Sequence, residues 1–313
     1  MLPQSDLSTW RVALDWRIEF GLWLRNTPNQ HNQERSRLTL DAYERDINLM
    51  ADWFEHLNGT AFQPSDLNSM DLKSYFKLLE SEAAPATYNR KLASVRLFIK
   101  WTRLAGLIDY DPAEWIPFAN AVRHSPRDLV AADRQCLEAA AVAEEATLLG
   151  LRDSLIHALM DGAGLRISET ISLRIDDLHL DEGYIHVLGK GRKHRNPRIG
   201  SKLIEKIRSW LDRMPASIEG TLITDEHGLA IGREQAWKRF VLIADSAGVD
   251  ATPHQLRHTY VLRYMDAVMA GDPSRLPIAI DAACQQTGDR PEVILAYYTR
   301  ARESDMRAAA EMM

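Results

Sequence analysis

The sequence predicts a mainly α-helical protein of two domains with one small β-hairpin, an α+β architecture in which the strands are a minor part. Three observations carry this expectation. The length of 313 residues exceeds what one compact core usually holds. Apolar residues recur at helical spacing through most of the chain, as in Tyr43, Ile47, Met50, Phe54 and Leu57. A single β-rich interruption, Tyr184 to Leu188, alternates as a strand, runs into a basic glycine-containing turn from Gly189 to Arg195, and returns from Pro197 to Ile199.

In chain order, the segment around Trp16, Phe20, Leu22 and Trp23 reads as one helix, followed by a polar connection containing Pro28. Thr39 or Asp41 is the expected cap of a second helix running through Leu57, stopped by Asn58-Gly59. Ser69-Met70-Asp71 opens a third through Leu79, and Pro85-Ala86-Thr87 opens a fourth through Ala105, ended by Gly106. These four helices define an all-α domain over residues 1–116. Residues 117–130, with Pro117, Arg123, Pro126 and Arg127, read as an inter-domain linker, and residues 131–313 as a second domain that contains the hairpin.

Composition narrows the function classes. At 45% hydrophobic and 26% charged residues the chain is an ordinary globular protein and not a disordered one. No apolar run approaches the roughly 18–20 residues of a membrane span, and Met1 to Trp10 carries no secretory pattern. The two cysteines, Cys136 and Cys284, are far apart and lack metal-ligand spacing, so the expectation is a reduced cytoplasmic protein with no metal site and no cofactor.

The net charge of -6 counts against a nucleic-acid partner. Net charge averages over the whole surface, however, and here the positive residues are concentrated. Thr87 to Arg103 contains Arg90, Lys91, Arg96, Lys100 and Arg103 and no acid; on a helix, Arg96, Lys100 and Arg103 share one face. Ile185 to Lys202 contains Lys190, Arg192, Lys193, Arg195, Arg198 and Lys202, again with no acid. Such a hairpin tip repels itself unless an anion sits there, which points to phosphate contacts. For the helix, a merely solvated face is the competing reading.

Cleaving a phosphodiester without metal requires a nucleophile, positive groups around the non-bridging oxygens, and a proton donor for the departing oxygen. Gly162 to Glu169 bends the chain before a helix and presents Arg166, with Glu169 one turn on and able to hold its guanidinium. Gly189-Lys190-Gly191 lets the backbone approach an anion and supplies a mobile proton donor. His254 and Arg257 are three apart, pairing an acid/base group with a cation on one helical face. Tyr297-Tyr298 lies near the C-terminus. Each has a plainer reading when taken alone: a surface ion pair, a turn, a chance His-x-x-Arg, a packing tyrosine.

Their order in the chain is more specific than any one of them. "GAGLRISETISLRIDDL", "LGKGRKHRNPRIG" and "TPHQLRHTYVLRYM", followed by Tyr298, resemble the arginine, β-hairpin lysine, His-x-x-Arg and tyrosine motifs of the tyrosine recombinase (phage integrase-like) family. "LTLDAYERDINLMADWFEHL" and "PATYNRKLASVRLFIKW" resemble that family's helical core-binding domain, so the resemblance spans nearly all of residues 38–300. It implies a site-specific recombinase of double-stranded DNA, acting as a homotetramer on two paired segments, on a mobile element or bacterial chromosome, with or without a second recombinase or accessory protein. Arg166 and Arg257 would bind the scissile phosphate, Lys190 would protonate the leaving 5′ oxygen, and His254 would move the tyrosine proton. Tyr298 would form a 3′-phosphotyrosine, and Glu169 would support Arg166; neither ATP nor metal is called for.

One departure from the family pattern is plain. Members carry His or Trp nine residues before the nucleophile; here Asp289 stands nine before Tyr298, which also selects Tyr298 over Tyr297. An ionised Asp donates no hydrogen bond and repels phosphate. Asp289 is therefore protonated beside the phosphate, or turned aside to hold an arginine, or a weakening of the site. The last alternative leaves a DNA-binding accessory protein without chemistry as the competing function, and a topoisomerase of the same chemistry as a third. Thr299 to Met313, with Met306, Ala310 and Met313, resembles the terminal helix that docks on a neighbouring subunit, a frayed end being the other reading.

Overall fold

The structure, a computed structural model, describes residues 15–29, 32, 34–120, 128–189, 193–299 and 301. It forms two units, Met1–His124 and Ser125–Met313. Among the described residues, no helix is long and apolar enough to cross a membrane.

The first unit is built of α1 (Trp16–Asn26), α2 (Arg37–Asn58), α3 (Ser69–Glu82) and α4 (Pro85–Leu104). Short polar side chains start the first three by taking an orphan amide of the first turn: Asp15 accepts from Arg17, Ser36 from Thr39 and Asn68 from Asp71. The cap of α2 is thus Ser36 and not Thr39 or Asp41, because the helix begins a turn earlier than the apolar periodicity indicates. Gly59, at φ +69°, ends α2. Pro85 starts α4, where its missing N–H costs nothing. Trp16, Phe20, Phe54, Phe62 and Phe98 interlock edge-to-face at the centre, each contributing roughly 1.5–3 kcal/mol by burial. Pro117 to Ala119, expected as linker, is instead strapped to α4: Tyr88 donates to Pro117 O (3.3 Å), and Asn89 exchanges two hydrogen bonds with Ala119 (2.9 and 2.8 Å). Of the rest of that linker, residues 121–127 lie outside the described residues, and Leu129 is buried in the core of the second unit, its N–H donating to the Thr259 hydroxyl (2.8 Å).

The second unit runs α5 (Ala131–Ala143), α6 (Leu148–Ala163), α7 (Ile167–Ser172), four two-residue strands, α8 (Ser201–Leu211), α9 (Arg233–Ala247), α10 (Pro253–Met269) and α11 (Leu276–Thr287), and residues 291–299 are helical. α6 is buried nearly all round and forms the axis of the unit; its polar residues are buried with the apolar ones, Arg152 donating to Asp153 (2.9 and 2.7 Å). The expected single strand Tyr184–Leu188 divides. β2 (Tyr184–Ile185) pairs with β1 (Leu178–His179), a strand the alternation does not signal, whereas β3 (Val187–Leu188) pairs with β4 (His194–Arg195). Beyond Gly271, a short 3-10 turn, Pro273–Arg275, is capped by Asp272.

Gly164 closes α6 and sets the direction of the next segment. Its φ is +65°, and a Cβ there would stand 2.3 Å from the Tyr260 ring, so glycine alone fits. The chain turns sharply, and Arg166 becomes the N-terminal flank of α7.

Candidate active site

Arg166, at the start of α7, and Arg257, in the first half of α10, are far apart in sequence and converge on one carboxylate. Asp289 accepts from Nη2 of Arg166 at one oxygen and from Nη2 of Arg257 at the other (2.6 Å). Asp289 thus holds both arginines at once.

Behind this pair sits Glu169. It accepts from the backbone N–H of Arg166 (2.8 Å), from Arg166 Nη1 (2.9 Å), and from both terminal nitrogens of Arg195 (3.0 and 2.8 Å); Arg257 Nη1 lies 3.6 Å away. The expected Arg166–Glu169 pair is therefore present and extended to a third arginine. Burial raises the Glu169 pKa, but hydrogen bonds and charge from Arg195, the Arg166 N–H and the charge of Arg257 outweigh it and hold the carboxyl at about 2. Arg257 is held further by carbonyls, donating to Gly164 O and to Thr287 O (2.8 Å). Side-chain exposure separates the roles: 3% for Arg257, 6% for Glu169, 8% for Arg195 and 9% for Asp289, but 36% for Arg166, which is the open side of the cluster.

Arg195, expected on DNA, is turned inward. In β3–β4 its cross-strand partner is the buried Val187, so both side chains share the inner face, where Glu169 supplies the charge partner. Gln286, which no motif signals, fixes the same corner: it accepts from Arg198 N (3.0 Å) and donates to Arg198 O and to the Tyr260 hydroxyl (2.8 Å each). Only three-dimensional packing brings Gln286 there. Gly164, by contrast, is marked in the sequence as a glycine directly before the Arg166 segment.

His254 lies in the first turn of α10, behind the capping box of Thr252 and Gln255, at the helix end whose amides favour an anion. Burial lowers its pKa below the ordinary 6.5, as do Arg257 and Arg166, with Asp289 opposing them. The imidazole is thus the neutral, proton-accepting form near pH 7. Tyr297 and Tyr298 lie on the helical stretch 291–299, half-buried against a cluster that includes Val261, Met265 and Ile294. The Tyr297 ring stands edge-on to the buried His258, centroids 4.2 Å apart.

Lys190 and Arg192 of the hairpin turn, and Met306, Ala310 and Met313 of the tail, lie outside the described residues. Among the other expected DNA contacts, Lys100, Arg103 and Lys193 are exposed. Arg90 does not fit the expectation of unopposed charge, and Arg96 is engaged by its own unit. Arg90 pairs with the buried Asp46, an acid contributed by α2, and Arg96 donates to Ile116 O (2.9 Å) and stacks over Phe118. Lys91 sits 6.0 Å from the centre of the Tyr75 ring.

A helical unit that points two guanidinium groups at one place, backs them with a low-pKa carboxylate and sets a neutral histidine beside them is built to hold an anion and move a proton. Comparison with known proteins agrees in sequence and in fold. Residues 133–271 match the Phage integrase family and residues 30–106 the Phage integrase, N-terminal SAM-like domain. The chain is 31% identical over 266 residues to a tyrosine recombinase XerC of Neisseria meningitidis, covering 82% of this chain and 85% of that protein. It is 30% identical over 238 residues to a tyrosine recombinase XerD of Lacticaseibacillus casei, covering 74% and 80%. In fold it is similar to a lambda integrase dimer bound to a core site (TM-score 0.67, 14% identity, 90% and 75% covered) and to the XerH site-specific recombinase in a post-cleavage complex (0.66, 18%, 87% and 79%). The chain belongs to the tyrosine recombinase family of site-specific recombinases.

Proposed function

We propose that this chain cuts and rejoins double-stranded DNA at a specific site through a covalent bond to Tyr298. The observation that carries the proposal is the convergence of Arg166 and Arg257 on a single anion position, nine residues in sequence before Tyr298. In cleavage, the Tyr298 hydroxyl oxygen attacks phosphorus, the bond from phosphorus to the 5′ oxygen breaks, and a 3′-phosphotyrosine forms. His254 takes the tyrosine proton, and Lys190 gives a proton to the leaving 5′ oxygen. Arg166 and Arg257 hold the two non-bridging oxygens and stabilise the added charge of the transition state. Rejoining is the reverse attack by a 5′ hydroxyl, so the phosphodiester energy is conserved, and the reaction as written consumes neither ATP nor metal. Lys100, Arg103 and Lys193 supply phosphate contacts, two copies on each of two paired duplexes make a tetramer, and the protein works in the cytoplasm on a chromosome or mobile element.

The test is a covalent-trapping assay in EDTA. A duplex selected by binding from a random pool is nicked near its centre, incubated with protein and run on a denaturing gel. The expected result is a protein–DNA band that is lost in Tyr298→Phe and kept in Tyr297→Phe. Loss in Tyr297→Phe alone reassigns the nucleophile. The occupation of both arginines by Asp289 favours one second reading, an accessory protein that binds DNA without cutting it; tight binding with no band establishes that reading instead.

A further inference from the structure

We infer that Asp289 is a resident anion occupying the place of the scissile phosphate, which DNA must displace before the strand can be cut. The inference rests on the function proposed above. The carboxylate gives one oxygen to Arg166 and the other to Arg257, two oxygens from one group bridging two guanidiniums. A phosphodiester presents its two non-bridging oxygens in the same way, and the two anions cannot share the donors.

The arginines do not depend on Asp289 to stay in place. Arg257 keeps the Gly164 and Thr287 carbonyls, and Arg166 keeps Glu169, which is anchored in turn by Arg195. Glu169 therefore holds the arginines from behind, while Asp289 covers the faces they would offer to a ligand. The backbone around Asp289 is suited to release it. Gly288, just before it, sits at φ +71° as the flank of α11, and the Asp289 amide has a long bond of 3.3 Å to the Thr287 hydroxyl. Just after it, the Arg290 carbonyl accepts from Val293 (2.9 Å) and Ile294 (3.1 Å), opening the helical stretch that carries Tyr298. An anion exchange at Asp289 thus takes place at the root of the helix bearing the nucleophile. Displacement by phosphate exchanges one favourable anion for another, so a lone phosphate gains little. A phosphate presented by DNA already held at many other points gains the exchange at high effective concentration. The device keeps the unengaged site from capturing small anions and ties activation to a fully seated duplex.

Asp289→Asn keeps the shape and removes the charge. It is expected to form the covalent band about ten- to hundredfold faster than the wild type, the order expected from removing one charge next to the phosphate. Orthovanadate, a free phosphate mimic, is expected to inhibit Asp289→Asn at least tenfold more tightly than wild type. Asp289→His, which restores the residue type of other family members, should move in the same direction, guarding against a defect specific to Asn. Slower cleavage in both variants, or unchanged rate and unchanged vanadate inhibition, overturns the inference and leaves the recombinase reading intact, because the wild type still forms the band. A silent wild type beside an active Asp289→Asn supports the inference, and makes the wild type the protein that binds without cutting. No band from any of the three defeats the proposed function, and the inference with it.

Discussion

Glu169 offers a quantitative test of how the arginine cluster is held together. Its carboxyl is kept at about 2 instead of its ordinary 4.5. At about 1.4 kcal/mol for each tenfold change in proton affinity, that difference corresponds to about 3 kcal/mol of stability when the group is ionised in both folded and unfolded chains. The sign follows from the depressed value. The contribution is complete above the unfolded value of 4.5, shrinks as the pH falls below it, and is gone below about 2. Glu169→Gln is isosteric and leaves the buried Arg195 without a charge partner, so the variant should lose about 3 kcal/mol at pH 7. At pH 3 the wild type retains about half of its advantage, roughly 1.5 kcal/mol, because the folded group is still mostly ionised while the unfolded one is protonated. The readout must report on the second unit alone. Met160 and Met265 are fully buried there, and their oxidation by peroxide across a urea series, measured by mass spectrometry on the whole chain, gives that unit's unfolding free energy. A gap below about 0.5 kcal/mol at pH 7, or the same gap at pH 3 as at pH 7, refutes the assignment of Glu169 as the charged anchor.

In the proposed role His254 accepts the tyrosine proton only when neutral, so single-turnover cleavage should be flat near neutrality and decline at acid pH with a midpoint below 6.5. His254→Gln should cut the rate by at least about a hundredfold and abolish the acid limb, and a wild-type midpoint at or above 6.5 would count against the role. On α4, Lys100→Ala and Arg103→Ala should each reduce the slope of log binding constant against log salt by about 1 without loss of stability. Arg90→Ala should instead destabilise the first unit by about 1–2 kcal/mol, because buried Asp46 then loses its charge partner and keeps, among the described residues, the Ser94 hydroxyl; a change in salt slope with no change in stability would return Arg90 to the DNA face.

Much of the fold is legible in the sequence because its signals are local. Pro85, Gly59 and Gly106 act within a turn of where they stand, and the apolar spacing of α2 and α4 is a property of each helix by itself. The misreadings fall where a partner far along the chain decides. Charge windows without internal acids point to phosphate contacts, yet Arg90 is answered by Asp46 from another helix and Arg195 by Glu169 from α7. A window along one segment counts only its own acids, so it overestimates free positive charge wherever tertiary packing imports a carboxylate. The strand at Tyr184–Leu188 misleads for a related reason: alternation reports which face is buried and says nothing about how many partners share the edge.

The candidate site shows both behaviours within a few residues' reach. Arg166, Glu169, His254 and Arg257 are identifiable because a family motif is a record of local geometry: a glycine turn before a helix start, an i,i+3 pair, a capped helix opening. Asp289 is locatable by its spacing from Tyr298, but its role is not, since that role is set by what two guanidiniums from different helices do in the absence of DNA. With His or Trp in that position, the arginine pair would have no carboxylate in front of it. With Asp there, the same scaffold closes its own anion site. The substitution that looks in sequence like a damaged catalytic group therefore becomes, in three dimensions, a ligand supplied by the chain to itself, and the rate of Asp289→Asn distinguishes a damaged enzyme from a restrained one.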